Sequence, residues 1–168
     1  MRVTAVEPIL IRGREAYRST AGGDEATDNG DQQLLVRVAT DEGIEGWADI
    51  ETLPGPAAQV IAGHGMGITG FKTLADLVVG ENVFDTRRIW DKMYVGSAYY
   101  GRRGVVMQCV SAIDNALWSI KARAAGVSLA TLLGGARRER VRAYASTLFR
   151  DTPEGMARAC ADYVARGF

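Results

Sequence analysis

The sequence predicts an α+β domain, a three-stranded antiparallel meander followed by a helical bundle, and then the start of a second architecture. Three observations carry this. Alternating apolar residues of period two are confined to the first fifty positions. From residue 56 the apolar spacing changes to the 3.6 period of helices. The tail after about residue 136 reads as one strand-like and one helix-like segment, a single β/α unit.

Residues 3 to 12 read as a first strand. Residues 32 to 40 read as a second, with Leu34, Val36 and Val38 on one face. Thr40-Asp-Glu-Gly43 supplies turn chemistry, with Gly43 suited to positive φ, and residues 44 to 50 return as a third strand. Helices are expected over Pro56 to Ala62, Lys72 to Val78 and Asp85 to Tyr94, where Asp85 is placed to cap. The clearest helix covers about 104 to 125, because Val106, Val110, Ile113, Leu117, Ile120 and Ala124 form one apolar stripe. Gly126 is its expected stop. Arg140 to Ser146 reads as a short buried strand. Thr152 to Gly167 reads as a helix with Pro153 in its first turn and Met156, Cys160 and Val164 four apart. The expected domains are 1–136 and 137–168.

Composition narrows the function classes. Among 168 residues, 20 Lys and Arg balance 20 Asp and Glu, so no global charge draws the chain to nucleic acid or to an anionic membrane. The apolar run Pro8 to Ile11 is too short to span a bilayer and lacks a signal peptide's layout. Cys109 and Cys160 read as small buried hydrophobes rather than as a disulfide, which fits a reducing cytoplasm.

Two stretches invite chemistry. Residues 12 to 31 form a connection of about twenty mainly polar positions where a two-residue turn would serve, the length of a lid or binding loop. Within it Arg14 and Arg18 offer guanidinium forks for a carboxylate, and Tyr17, Ser19 and Thr20 offer hydroxyls for a polyol. Gly65-Met-Gly-Ile-Thr-Gly70 satisfies the G-x-G-x-x-G spacing of dinucleotide-binding turns. A helix rather than a strand is expected before it, so the reading is an interhelical loop. His64, the sole histidine, has no partner at metal-ligand spacing. The Arg137 to Arg142 run has no aromatic platform and reads as a solvated connector. Tyr99-Tyr-Gly-Arg-Arg-Gly104 reads as a turn, with an anion-holding role at the following helix N-terminus as the alternative. Asp114 reads as a buried carboxylate bonded to backbone.

Several segments together resemble one family, the N-terminal capping domain of the enolase superfamily in its mandelate racemase and muconate lactonizing enzyme branch. The likeness is carried by Thr40-Asp-Glu-Gly-Ile-Glu-Gly-Trp47, by Gly80-Glu-Asn-Val-Phe-Asp85 leading into Ile89-Trp-Asp-Lys-Met-Tyr94, and by Ser111-Ala-Ile-Asp-Asn-Ala-Leu-Trp118. Leu132-Leu-Gly-Gly-Ala136 followed by Val141-Arg-Ala-Tyr144 completes it. Ser119 departs from the acidic residue common after the Leu-Trp pair.

The resemblance implies a cap that folds over the mouth of a β/α barrel. It implies that residues 12 to 31 are the lid and that Ile50 to Gly55, with Leu53, is the second specificity loop. It also implies proton abstraction next to a carboxylate, with Mg²⁺ stabilising the enediolate in the complete enzyme. The base and metal ligands belong to the barrel, so no catalytic or metal-binding residue is expected in this chain, which is expected to be inert alone. Tyr100-Gly-Arg-Arg-Gly104 is similar to sugar-acid dehydratases of the rhamnonate type. Racemisation or cycloisomerisation is the alternative reaction. A non-catalytic cap that self-associates is the alternative class. The implied partners are a small carboxylate substrate and further copies of the enzyme in a homo-oligomer.

Overall fold

Three strands open the chain, β1 (Val3–Arg12), β2 (Gln32–Thr40) and β3 (Glu45–Ile50), in an antiparallel sheet of order β1-β2-β3. The structure, a computed structural model, describes residues 1–12, 32–63, 70–146 and 152–168. Val38 pairs with Val6 and Gly46, and Leu34 pairs with Leu10 and Ile50. Because side chains alternate, Leu34, Val36 and Val38 are all fully buried on one face, while Arg37 lies on the other. There it reaches across both neighbouring strands to Glu7 and Glu45, and its guanidinium holds the Glu45 carboxyl below the usual range. The β2–β3 turn uses Gly43 at φ 76, and the Thr40 hydroxyl donates to the Ile44 carbonyl at 2.8 Å.

Six helices follow among the described residues: α1 (Pro54–Ala62), α2 (Leu74–Val78), α3 (Thr86–Gly96), α4 (Val105–Ala124), α5 (Leu129–Leu132) and α6 (Pro153–Ala165). The Thr73 and Asp76 side chains form a reciprocal capping box at the start of α2. Asp85 occupies the cap position of α3 as the sequence predicts, but its carboxylate makes no cap bond. It accepts from Arg88 at 3.0 Å instead.

Helix α4 is the core helix. Its stripe of Val110, Ile113, Leu117 and Ile120 is fully buried in one cluster with the inner face of the sheet, α1, α2 and α3. Burying each such side chain is worth about 1.5–3 kcal/mol, which makes this cluster the main source of stability. The close approach of α4 to β3 depends on Gly46, since a Cβ there would collide with the Ala116 carbonyl. Cys109 belongs to the same cluster, and burial pushes its thiol up to about 12. The segment before α3 is tied to β1 by Val3 donating to the Glu81 carbonyl at 3.0 Å and Gly80 donating to the Val3 carbonyl at 2.8 Å. Glu81 in turn accepts from Lys92 and pairs with Arg88, each at 2.7 Å, and its carboxyl is held below the usual range.

Residues Met1–Gly13 and Gln32–Gly135 form one compact unit, and Ala136–Phe168 belongs to another. In the second unit α6 starts as its sequence directs, with the Thr152 hydroxyl accepting from Gly155 at 3.0 Å and Pro153 in the first turn. The buried strand expected over Arg140 to Ser146 is not formed: the segment has no ladder pairing, and Val141 and Tyr144 are exposed by 79% and 82%. A parallel strand needs a neighbour to satisfy its backbone, and the described residues offer none. Cys160 is likewise exposed rather than buried, because no described residue packs over that side of α6. No helix among the described residues is long and apolar enough to cross a membrane.

Candidate functional site

The topology of the meander decides which loops meet. β1 ends at Arg12, opposite Gln32 at the start of β2, and β3 ends at Ile50, opposite Leu34. Antiparallel pairing therefore brings the connection 13–31 and the connection 51–53 out of the same end of the sheet. Arg14, Tyr17, Arg18, Ser19 and Thr20, the residues singled out in the first connection, lie outside the described residues.

Leu53, in the second connection, is described and unusual. It takes the left-handed conformation, φ 53 and ψ 54, and its side chain is 56% exposed. That conformation costs a non-glycine residue roughly 1–2 kcal/mol. It is fixed from the helix side, where Pro54 opens α1, Ala57 donates to the Leu53 carbonyl at 3.0 Å, and Ala57 and Ile61 are fully buried. An exposed apolar side chain is thus held rigidly at the end of the sheet that carries both loops.

Beside it lies a cleft of about 530 Å³ between the end of β3 and the N-terminal half of α4. One wall is Asp49, Ile50, Glu51 and Thr52, and the other is Met107, Gln108, Ser111 and Asn115. Positions 108, 111 and 115 share one helix face by their spacing of three and four, adjacent to the buried stripe. Gln33 donates to the Asp49 carboxylate at 3.3 Å. That bond lies on the sheet face away from α4, so the cleft offers amides and hydroxyls with Glu51 at its edge, but no nucleophile–base pair. The pattern of α4 was legible in the sequence. What was not legible was that its polar edge faces the residues after β3, since that depends on the β3–α4 packing.

The remaining hollows are less suited to chemistry. One of about 630 Å³ at the start of α3 is lined by Phe84 and by charged groups, among which Asp85 and Asp91 already pair with Arg88 and Arg87. Another, of about 340 Å³, lies between Trp90 of α3 and Asp114 and Trp118 of α4. Asp114 is half-buried there, and burial pushes its carboxyl up, against the opposing pull of the Trp118 indole and the Lys121 charge. Its partners are side chains, not the backbone the sequence reading assigned.

Among the described residues no three His, Cys, Asp or Glu side chains converge as a metal cage. His64 and residues 65 to 69 lie outside the described residues; α1, which precedes them, is a helix, and a dinucleotide-binding turn requires a strand there. The Tyr99 to Gly104 segment is a turn with its aromatics engaged. Tyr99 packs on Phe71 with centroids 4.7 Å apart, and the Tyr100 hydroxyl donates to the Lys72 carbonyl at 2.9 Å. The Arg102 guanidinium sits 5.1 Å from the Tyr94 ring centroid. The arginines of 137–142 are exposed, as a solvated connector would be.

A capping meander with two loops at one end and a core helix behind it is the cap architecture of the enolase superfamily. The family model for the mandelate racemase / muconate lactonizing enzyme N-terminal domain matches residues 25–134, and the chain belongs to that family. Its sequence is 36% identical over 135 residues to a D-galactonate dehydratase of Xanthomonas oryzae pv. oryzae, covering 80% of this chain and 33% of the relative. It is 31% identical over 152 residues to the D-galactarolactone cycloisomerase of Agrobacterium fabrum, covering 89% and 36%. A crystal structure of a mandelate racemase/muconate lactonizing protein from Paracoccus denitrificans, complexed with magnesium, superposes with a TM-score of 0.60. Its identity is 26%, with coverage of 82% of this chain and 31% of that one. The chain spans about a third of the length of the curated relatives it matches.

Proposed function

We propose that this chain is the substrate-covering cap of a Mg²⁺-dependent sugar-acid dehydratase, with rhamnonate and galactonate as the substrates of first choice. The observation that carries the reading is that β1 and β3 both end at the side of the meander where rigid Leu53 and a polar cleft lie. The activities of the relatives, a sugar-acid dehydratase and a sugar-lactone cycloisomerase, support the substrate class. The role of this chain is binding and enclosure. Leu53 excludes water at the site mouth, the cleft's hydroxyls and amides orient the polyol, and Arg14 and Arg18 are the cap's candidates for the carboxylate. Mg²⁺, held elsewhere in the complete enzyme, supplies electrostatic stabilisation of the enediolate. The described residues of the cap do not themselves fit a Mg²⁺ cage, and the abstracting base is assigned to the barrel. On its own the 168-residue chain is therefore inert.

The product of the native gene, its intact mass recorded first, is to be incubated with Mg²⁺ and a panel of sugar acids and the products weighed. The expected outcome is a 2-keto-3-deoxy acid, one water lighter than its substrate, from the native product, and no turnover by the 168-residue chain alone. Turnover by that chain alone would place a base within it and overturn the cap reading. A native product that leaves every sugar acid unchanged would overturn the dehydratase reading. Isomerisation without loss of mass is the second reading, favoured by the cycloisomerase relative. A native product near 18.1 kDa, with no turnover, would make the chain a binding or self-associating module.

A further inference from the structure

We propose that the outer face of the sheet, the face turned away from α4, docks onto the same face of a second copy of this chain. Two apolar runs point there, Pro8-Ile-Leu-Ile11 in β1 and Leu34-Leu-Val36 in β2. A sheet with one face in water alternates apolar and polar residues, whereas continuous apolar runs belong to strands covered on both sides. The pairing puts Ile9 beside Leu35 and Trp47 beside Arg37 on the outer face, with Ile11 two residues beyond Ile9. Trp47 lies diagonal to Leu35, so the apolar patch runs across all three strands. Ile9, Ile11 and Trp47 are left 37%, 43% and 40% exposed.

The polar groups of this face select the occupant. Arg37 pairs with Glu7 and Glu45, and Gln33 donates to Asp49. A partner that is equally apolar and internally paired covers these groups without leaving a charge alone, and the same face of a second copy is such a partner. The area is sufficient. Three strands of 6 to 10 residues, spaced about 4.8 Å apart and with overhanging side chains, present roughly 500 Å² per copy. Two copies then bury about 1,000 Å², the lower end for a specific interface, and sheets stack face to face in this manner. Glu7, Glu45 and Asp49 outnumber Arg37, so the two rims repel each other and salt relieves that repulsion. The choice of a second copy over the rest of a longer polypeptide rests on the cap reading, which assigns the barrel to the loop end rather than to this face.

Sedimentation equilibrium of the 168-residue chain from about 1 to 300 µM tests this, since an interface of the smallest specific size reaches affinities on the order of 10 µM. A monomer–dimer equilibrium is expected, tighter in about 0.5 M than in about 0.05 M NaCl. Ile9→Lys and Trp47→Lys, both at exposed outward positions, are each expected to weaken it about tenfold or more with the circular dichroism spectrum unchanged. Val141→Lys, at an exposed apolar position off the sheet, is expected to change nothing. In the parent chain the Trp47 indole N–H resonance, assigned by its loss in Trp47→Phe, is expected to shift with protein concentration while those of Trp90 and Trp118 stay. A chain that is monomeric to about 300 µM, or a Trp47 resonance that does not move, would overturn the proposal. An association lost in Val141→Lys but kept in both sheet variants, or one that weakens with salt, would refute it in favour of a contact elsewhere. A native gene product whose oligomer survives both sheet substitutions would refute it as well and give the face to the rest of that polypeptide. No readout here uses turnover, so failure of the sugar-acid reading leaves this result standing.

Discussion

Two side-chain positions show how closely this cap is built. At Gly46 there is no room for a methyl group between β3 and the Ala116 carbonyl, with the Ile120 side chain closing the remaining space. Gly46→Ala is expected to lower stability by about 1–3 kcal/mol, read as a lower urea midpoint at unchanged slope. An unchanged midpoint would mean that α4 slides away from β3 freely. At Asp114 the pKa is raised in the fold, chiefly by burial. Such a group contributes stability that is fully present below its unfolded value of about 4 and is lost as pH rises through its folded value. Asp114→Asn removes that titration, so the variant is expected to melt higher than the parent at pH 7, with the gap closing as pH falls toward 4. A gap independent of pH would show that the carboxyl titrates normally. The sequence marked both residues, Asp114 beside the apolar stripe and Gly46 inside the Gly-Trp motif. Their roles depend on which neighbour each meets, and only the packed structure supplies that.

Among the elements, boundaries followed local chemistry where that chemistry was self-contained. β1, β2 and α4 fall within a residue of where their periods place them, and the Pro54 start of α1 and Thr73 cap of α2 moved two helix starts by about two residues. The α2 capping box closes two bonds at a helix of only 5 residues, too short to persist without help. Thr73→Ala is expected to destabilise the chain by about 1 kcal/mol, checked by thermal melting; Thr73→Ser should recover most of it. No recovery would show that the methyl group of this buried threonine, not its hydroxyl, carries the effect. Reading failed where an element needs something from afar. Among the described residues the 140–146 segment has strand-like residues but no strand to pair with, and the apolar stripe of α6 has nothing to bury it. An expectation of burial for Cys160 failed for the same reason.

On the scale of the whole molecule, every residue of the main apolar cluster, from Val3 to Ile120, lies in the unit that ends at Gly135. Removing residues 136–168 is therefore expected to leave the thermal midpoint within a few degrees of the parent and the transition cooperative. A truncated chain that melts broadly would show that the tail supports the cap. The fold and family of this unit were legible because patterning, turns and motif order all agree there. The polar cleft was not, since its two walls are about sixty residues apart in sequence and meet through packing alone. The pairing of Arg12 with Gln32 has one more consequence. The sheet is already in register when the chain departs toward residue 13, so a differently sized insert can be spliced between those two positions without shifting any strand. Doubling such an insert's length adds only about 0.6 kcal/mol of closure entropy. The same core can thus carry connections of very different length between Arg12 and Gln32.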